Sequence, residues 1–417
     1  MPSPDTPSPT HATTRRILLV DADAFFVAVA RLADPDGAGR ARLLIVGGAP
    51  GSRGVVCSAS YEARQFGVRS AMPISRALRL CPAAMCVPVP RAACGRKSRE
   101  IAAVLERLAP VVECASIDEW YLDLSGTEGV YAGRSLADVA ATIRSAVREE
   151  TSLDVSIGGG TSRLIAKLAV EHAKPRPDRP ATGVFVVAEG DEREFMSRLT
   201  LADLPGVGPK SRERLDRIGL RTVADVVQYD VATLGRLVGE REAEWLYDRV
   251  RGVDHTPVSH RDVAKSISRE ETFGTDLSSD EDLERELLRL VVRAASDLRG
   301  DRLAARTITV KLRDADFKTR QASRTLPGPV IADRVILATA RSLLSRLRGA
   351  RRVRARLLGI SLSSLDTPDL DAQLSLFESG VPALETDRDR ALAGAVDKLR
   401  AKFGKGSIVP GPLMRKS

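Results

Sequence analysis

Aromatic, histidine and cysteine residues are scarce in this chain of 417 residues, which contains 4% Phe, Trp and Tyr, four His and five Cys. The cysteines form no CxxC pair, so we expect reduced thiols in the core of a cytoplasmic protein, without disulfides or a zinc site. No apolar stretch reaches transmembrane length, so we expect no membrane partner. Residues 1–15 are rich in Pro and Ser and lack a hydrophobic segment, which predicts a disordered tail rather than a signal peptide.

The length of the chain predicts two to four domains. Its net charge is +9, from 64 basic and 55 acidic residues, which suggests a polyanionic partner. Most of this excess lies between Arg261 and Leu365, where 22 basic residues stand against 14 acidic ones.

An acidic pair lies in a predicted β-hairpin. Val111–Ala115 and Ser116–Asp123 are rich in β-branched and aromatic residues, which is typical of strands. Asp118 and Glu119 then lie at or near the bend, where two neighbouring side chains can reach one site. Two close carboxylates are costly to bury unless a cation neutralises them. A solvated hairpin tip is the simpler alternative for an isolated acidic pair.

A second acidic strand is predicted near the N-terminus, where an apolar run from Arg16 delivers Asp21 to its C-terminal end. Together with Asp118 and Glu119, this residue could hold two divalent cations such as magnesium, which prefer carboxylate and phosphate oxygens. Two such ions support in-line phosphoryl transfer. Asp23 either shares a strand face with Asp21 or caps the following helix. No histidine adjoins these acids in sequence, so a His-based nucleophilic mechanism has little support.

Ser58, Tyr61 and Arg64 are spaced three residues apart, so in a helical turn they share one face. A hydroxyl, a phenol and a guanidinium on one face suit an anionic phosphate chain, because Arg binds phosphate oxygens in a fork. An ordinary amphipathic helix with a polar stripe is an equally good interpretation of this spacing.

Taken together, these motifs resemble the Y-family translesion DNA polymerases, and most closely the bacterial DNA polymerase IV branch. The resemblance rests on residues 21–26 (DADAFF), 60–64 (SYEAR), 66–73 (FGVRSAMP) and 116–119 (SIDE), which occur in the order and spacing of the family. It covers roughly residues 16 to 377.

The resemblance implies a multidomain α/β and α+β fold in the form of a right hand. The implied domains are a palm, small fingers, a helical thumb and a little finger that binds DNA. The expected boundaries are a disordered tail at 1–15, palm at 16–32 and 89–182, fingers at 33–88, thumb at 183–253, a linker at 254–262, little finger at 263–365 and a tail at 366–417.

The resemblance also assigns roles to individual residues. Asp21, Asp118 and Glu119 match the metal-binding catalytic acids for two Mg²⁺ ions, together with the main-chain carbonyl of Ala22. Phe26 matches the steric gate, whose ring fills the space that a ribose 2′-hydroxyl needs. The residues expected to contact the incoming nucleotide are Phe25, Phe26, Ser58, Tyr61, Arg64 and Lys174. Cys57 and Ala71 match small residues over the nascent base pair.

A helix-hairpin-helix unit is predicted from Leu204 to Lys210. Gly206 and Gly208 allow close approach of a phosphate, exposed helix N-terminal amides bind it, and Lys210 adds a cation. Such a unit binds a DNA backbone without reading its sequence. A purely structural helical hairpin is the alternative. From Lys265 onward a β-α-β-β-α-β-like pattern with excess positive charge matches the little finger.

Near the C-terminus, residues 373–377 (QLSLF) resemble the peptide with which bacterial polymerases dock onto the sliding clamp. Gln373 would hydrogen-bond a pocket rim, while Leu376 and Phe377 fill an apolar pocket. About forty residues follow, with a helix predicted over 387–403 and ended by Gly404.

Two positions depart from the family pattern. Ala30 stands where the family usually has Glu, and Trp120 replaces a small residue, so that it either crowds the palm or fills its core.

The sequence therefore predicts a monomeric, low-fidelity DNA polymerase without proofreading, which acts on primer-template DNA and dNTPs and binds the sliding clamp. A catalytically weak accessory factor that holds DNA and clamp is the alternative. A palm-type nucleotide cyclase would explain the two metals but neither the hairpin-helix unit nor the clamp peptide.

Overall fold

The computed structural model describes residues 15–175, 182–259, 264–367, 384–404 and 406–414. The chain divides into two compact units, residues 1–262 and 263–417. None of the helices within the described ranges is long and apolar enough to cross a membrane.

The first unit contains two successive groups of elements. The strands and helices of its N-terminal part are β1 (Ile17–Ala22), α1 (Phe25–Ala33), β2 (Leu44–Gly47), β3 (Val56–Ala59), α2 (Tyr61–Gln65), α3 (Ile74–Leu80), β4 (Met85–Val87), α4 (Arg91–Leu108), β5 (Val111–Cys114), β6 (Glu119–Asp123), α5 (Leu136–Thr151), β7 (Val155–Gly160), α6 (Arg163–Ala173) and β8 (Val184–Val186). A helical group follows, made of α7 (Glu192–Ser197), α8 (Pro209–Arg217), α9 (Val223–Val227), α10 (Val231–Val238) and α11 (Glu240–Val250).

A five-stranded sheet, in the order β5-β6-β1-β7-β8, forms the centre of this unit. All six residues of β1 and all six of β7 are buried, because helices cover both faces of the sheet. Leu18 and Val20 pack on one face with residues of α1, α4 and α5. Ile17 and Leu19 pack on the other face with α6. This confirms β1 as a buried strand with Asp21 near its C-terminal end.

Trp120 is fully buried on the face that α1, α4 and α5 cover. Its ring packs in the core with Leu18, Val20 and Phe25, so it fills the core. The indole N–H has no hydrogen-bond partner among the described residues. Ala30, the other departure from the family pattern, is buried against β2.

Gly158 on β7 allows α6 to lie unusually close to the sheet. A Cβ atom at this position would come within 2.3 Å of the carbonyl oxygen of Ala166 and 2.2 Å of the amide nitrogen of Val170. Only glycine fits such an approach, and it fixes the distance from which side chains of α6 reach the neighbouring strands.

A smaller sheet in the order β3-β2-β4 packs with α2 and α3 around its own core. The prediction that all cysteines are core residues is wrong for Cys57 and Cys114, whose side chains are exposed. Cys57 lies on β3, where the alternation of a strand turns its side chain away from the buried Val56 and Ser58.

The second unit is built from β9 (Ser266–Leu277), α12 (Asp280–Gly300), β10 (Ala304–Asp314), β11 (Thr319–Val330), α13 (Asp333–Ala350), β12 (Ala355–Asp366) and α14 (Asp387–Phe403). This order confirms the predicted β-α-β-β-α-β pattern. The strands form an antiparallel sheet in the order β11-β10-β12-β9. Residues of α12 and α13 cover one face and form the core with Ile308, Val310 and Leu312.

The other face of this sheet, which no helix of the described ranges covers, is here called the open face and carries two rows of hydroxyl side chains. Each row crosses all four strands in register. The rows are Ser323–Thr309–Ser361–Ser268 and Thr325–Thr307–Ser363–Ser266.

Helix α14 has the predicted bounds and packs on the second unit. A reciprocal capping box between Thr386 and Asp389 begins it, and Gly404 with a positive φ ends it. Arg299 pairs with Asp397 of this helix at 2.6 Å. Arg334 forms two hydrogen bonds with the Asp389 carboxylate.

Candidate active site

The three predicted acids lie at one end of two paired strands. Asp21 on β1 is directly opposite Glu119, the first residue of β6, in the antiparallel register. The amide of Ala22 donates a hydrogen bond to the carbonyl of Asp118 at 2.9 Å. The bend therefore holds Asp118 beside the end of β1, and the sheet brings together acids that lie almost one hundred residues apart.

Asp21 is the most buried of these acids, with 7% of its surface exposed. Its carboxylate forms an ion pair with Lys174 at 2.8 Å. Burial raises the pKa of Asp21 to about 7, and the charge of Glu119 adds to the rise, while Lys174 opposes it. Burial alone would lower the pKa of Lys174, but the charges of Asp21 and Glu171 raise it. The site thus favours a cation beside Asp21.

The other two acids also have polar partners. Lys167 of α6 forms an ion pair with Glu119, and the hydroxyl of Ser116 donates to a carboxylate oxygen of Asp118. Across the described residues, no group of three Asp, Glu, His or Cys side chains is arranged as a ready metal cluster. The donor set at this edge still consists of carboxylate oxygens, the ligand type that Mg²⁺ prefers.

Asp23 does not cap the helix that follows it, so that alternative is wrong. The residue before α1 is Ala24, which adopts a left-handed conformation (φ 45°) and makes no side-chain cap. Asp23 instead accepts a hydrogen bond from the Ser156 hydroxyl of β7 at 2.9 Å. Burial raises the pKa of Asp23, against the effect of that hydrogen bond.

Phe25 and Phe26 begin α1 immediately after this edge. Phe25 is 2% exposed and belongs to the core, whereas Phe26 is half-buried. Their rings meet edge to face with centroids 5.6 Å apart. Phe25 thus supports the ring of Phe26, which keeps an accessible side.

The predicted helical face of Ser58, Tyr61 and Arg64 is only partly correct. Ser58 lies on strand β3 and is buried, because Ser60 caps the helix and α2 begins at Tyr61. Tyr61 and Arg64 do share a face of α2, and the guanidinium lies 5.0 Å from the centre of the phenol ring.

Tyr61 lies within electrostatic range of the acids. Burial raises its pKa, the charges of Asp23 and Asp21 add to the rise, and those of Arg64 and Lys174 oppose it. The structure therefore brings Tyr61 and Arg64 near the same edge as the acids and Lys174. Cys57 and Ala71 are both exposed, and Ala71 has a positive φ of 65°.

The predicted helix-hairpin-helix residues lie at the start of α8. Gly206 has a φ of 102°, and a Cβ there would come within 2.7 Å of the Trp245 ring. Gly208 is the N-cap of α8, Pro209 is its first residue, and Lys210 is exposed. The N-terminal amides of α8 are thus free of a side-chain cap. Gln373, Leu376 and Phe377 of the predicted clamp peptide lie outside the described residues.

Sequence reasoning missed Lys167 as a residue of this edge. It lies on α6, seven residues before Lys174, which directly follows that helix. That spacing was the available signal, but lysine is common on solvated helix faces and only the packing of α6 on β1 shows its partner.

Comparisons with known proteins show the family to which this chain belongs. Models of the impB/mucB/samB family and of its C-terminal domain match residues 20–171 and 264–376, and the thumb domain of DNA polymerase-iota matches residues 202–254. DNA polymerase IV of Desulfatibacillum aliphaticivorans is 36% identical over 403 residues, which are 96% of this chain and 98% of the relative. This chain belongs to the Y family of DNA polymerases.

Other relatives extend the comparison. DNA polymerase IV of Halorhodospira halophila is 39% identical over 363 residues, covering 87% of this chain and 98% of the relative. A chimera of the Y-family polymerases Dbh and Dpo4 has the same fold, with a TM-score of 0.73 at 24% identity over 84% of this chain and 98% of that one. The protein is a DNA-directed DNA polymerase of the translesion class with the multidomain architecture of its family.

Proposed function

We propose that the polymerase performs nucleotidyl transfer at the edge formed by Asp21, Asp118 and Glu119, with two Mg²⁺ ions held by these acids and the carbonyl of Ala22. The observation that carries this proposal is the register of β1 and β6, which sets Asp21 opposite Glu119 and fixes Asp118 beside Ala22. The bound ions would supply activation of the primer 3′-hydroxyl and stabilisation of the leaving pyrophosphate. The chain itself holds the acids in place through the paired strands.

The incoming dNTP would bind between this edge and α2. Arg64 and Tyr61 present a guanidinium and a phenol from one helix face, and Lys174 presents an ammonium from the end of α6. These groups suit the oxygens of a triphosphate. Ser58 is buried on β3, so its contribution would come from the main chain.

Phe26 would act as the steric gate. Its ring rests on the buried Phe25 at the start of α1, four residues beyond the main chain of Ala22. A supported ring keeps its position when a bulkier sugar presses on it, so a ribose 2′-hydroxyl would be rejected.

Two surfaces would hold primer-template DNA. One is the N-terminus of α8 with Gly206, Gly208 and Lys210, where uncapped amides and a cation suit a phosphate. The other is the open face of the second unit, whose hydroxyl rows offer donors to a backbone without selecting bases. We infer that these surfaces belong to the thumb and little finger at the boundaries given above.

We further propose that Gln373, Leu376 and Phe377 dock onto the sliding clamp, and that the polymerase works as a cytoplasmic monomer. These proposals rest on the resemblance of residues 373–377 to clamp-binding peptides and on the composition of the chain.

Primer extension on undamaged DNA with Mg²⁺ and dNTPs tests the site, with Asp118→Ala as the variant. We expect wild type to extend the primer and Asp118→Ala to lose extension while it still binds DNA. Absence of extension by both proteins with DNA binding intact would contradict the proposal and support a DNA-holding accessory role. Extension by the variant at the wild-type rate would remove Asp118 from the mechanism.

A further inference from the structure

Two lysines, one within α6 and one directly after it, each form an ion pair with one of the two acids that face each other across β1 and β6. Lys174 pairs with Asp21, and Lys167 pairs with Glu119. Lys167 lies within α6, whereas Lys174 is the C-cap residue of that helix and has an extended backbone. The helix and the residue that ends it thus supply one ammonium group to each of the two acids.

The close docking of α6 makes these contacts possible. Gly158 leaves no side chain between β7 and the helix, so Ala166 and Val170 lie directly on the sheet. Lys167 follows Ala166 and extends along the sheet surface toward the strand ends. Its side chain and that of Glu119 are each 27% exposed, so water screens the pair only in part.

The acids need such partners. Residues directly opposite in an antiparallel pair have Cβ atoms about 5 Å apart, and like charges there destabilise the sheet. Asp21 and Glu119 occupy such opposite positions. The ammonium groups of Lys167 and Lys174 relieve this repulsion without any metal.

We propose that Lys167 is a positioning residue, a built-in counter-cation that neutralises Glu119 in the metal-free polymerase and competes with the divalent ion for its carboxylate. This inference rests on the proposed function, in which Glu119 is a metal ligand. An ammonium and a hard cation use the same carboxylate lone pairs, so the ion must displace Lys167 from Glu119 or share the carboxylate with it. Lys167 thus holds the carboxylate in position before the ion binds and weakens the binding of that ion.

Lys167 is a better probe of this competition than Lys174. Lys174 has a second acidic partner, Glu171, at 2.7 Å and is also a proposed ligand of the triphosphate. A substitution of Lys174 would therefore change nucleotide binding as well. Within the described residues, Glu119 is the one ion-pair partner of Lys167.

Binding of Mn²⁺ to the full-length protein, measured by electron paramagnetic resonance without nucleotide, tests the proposal. We expect Lys167→Met to bind Mn²⁺ about threefold to tenfold more tightly than wild type, the range that a partly screened ion pair of about 1 kcal/mol provides. Lys167→Arg should bind as wild type does. Lys398→Met, which removes an exposed lysine of α14, controls for the loss of one positive charge and should bind as wild type does.

Unchanged or weaker Mn²⁺ binding by Lys167→Met would overturn the proposal, because removal of a competing cation must increase the affinity for the metal. A lysine with a purely structural role would give no such increase. Lys167→Gln serves the same purpose if the Met variant folds poorly. Thermal unfolding in EDTA gives a second readout: the midpoint of Lys167→Met should lie below that of wild type, and Mn²⁺ should narrow the gap. Asp118→Ala tests the proposed metal site separately from the role of Lys167. If Asp118→Ala binds Mn²⁺ as tightly as wild type does, the proposed metal site is contradicted.

Discussion

The two largest sheets of the polymerase differ in how many of their faces are covered. Helices cover both faces of the five-stranded sheet of the first unit, and every residue of β1 and β7 is buried. Helices cover one face of the four-stranded sheet of the second unit, and β10 alternates between buried and half-buried residues. Function must therefore occupy different places on the two sheets.

A sheet that is covered on both sides can present reactive groups only where its strands end. Asp21 and Glu119 lie at such ends, with Asp118 in the bend between β5 and β6. A sheet with one free face can present a wide surface, and the hydroxyl rows of the open face cross all four strands. Acids grouped at strand ends suit a reaction at one site, and an open sheet face suits contact along a polymer such as DNA.

The largest expected effect is a loss of primer extension that leaves DNA affinity unchanged, and it would show that catalysis at the strand ends is separate from DNA binding on the open face. Asp21→Asn removes a carboxylate from the end of β1 in the sheet that is covered on both faces. We expect single-turnover extension to fall by about a thousandfold, because Asp21 is a proposed metal ligand and such a ligand contributes several kcal/mol to the transition state. The affinity for primer-template DNA should stay within about twofold of wild type, since the proposed phosphate contacts lie on α8 and on the open face. Parallel measurement of extension and of DNA binding by fluorescence anisotropy checks both parts. A parallel loss of DNA affinity would contradict the assignment of catalysis and DNA binding to different sheets.

The second prediction compares neighbouring residues within each sheet. The side chains of Leu18 and Leu19 point to opposite faces of β1, and both are fully buried. Replacing either one with Ala should therefore destabilise the first unit by about 2–5 kcal/mol. Ile308→Ala on the covered face of β10 should cost the second unit a similar amount, whereas Thr309→Ala on the open face should cost less than about 1 kcal/mol. Urea dependence of hydrogen exchange, followed separately in peptides of each sheet, measures these differences. A large cost for Thr309→Ala would show that the open face is buried in solution.

The difference between the sheets was largely predictable from sequence. An unbroken apolar run such as residues 17–20 is typical of a strand buried on both faces, whereas polar and apolar residues alternate from 307 to 313. The acidic pair at the bend and the bounds of α14 were also predicted correctly. In each case a local signal, such as a turn, a capping residue or a terminal glycine, agreed with the packing.

The errors arose where a local pattern had two solutions. Ser58 fits the helical spacing with Tyr61 and Arg64, but Ser60 accepts a hydrogen bond from the amide of Ala63 and starts the helix later. Asp23 has the chemistry of a helix cap, yet the hydroxyl of Ser156 on another strand binds it. The partner of Lys167 depends on the docking of α6, which no local pattern encodes.

A third prediction concerns the charge of the open face. Lys311 and Arg313 extend from β10 on this side of the sheet, and Lys311 pairs there with Glu270. Replacing both with Ala should weaken DNA binding and reduce the slope of log affinity against log salt by about two, one for each lost phosphate contact. Glu270→Gln is the matched control on the same face, and it should strengthen binding because it frees Lys311 and removes a negative charge. Equal salt slopes for wild type and the double variant would place the DNA on another surface.

The smallest expected effect concerns a single hydroxyl of the rows. Thr309 is hydrogen-bonded to Ser323 at 2.8 Å and lies beside Ser361, so its hydroxyl belongs to a chain of donors and acceptors across the sheet. Thr309→Val keeps the shape and the strand preference of the residue, so stability should change by less than about 1 kcal/mol. Affinity for DNA should fall by about twofold to fivefold, the value of one hydrogen bond to a charged phosphate that water partly replaces. Thr309→Ser retains the hydroxyl and should bind as wild type does. If both variants bind DNA equally well, the open face contributes to DNA binding only through its charged side chains. The hydroxyl rows then serve only to hydrate the face of the sheet that no helix of the described ranges covers.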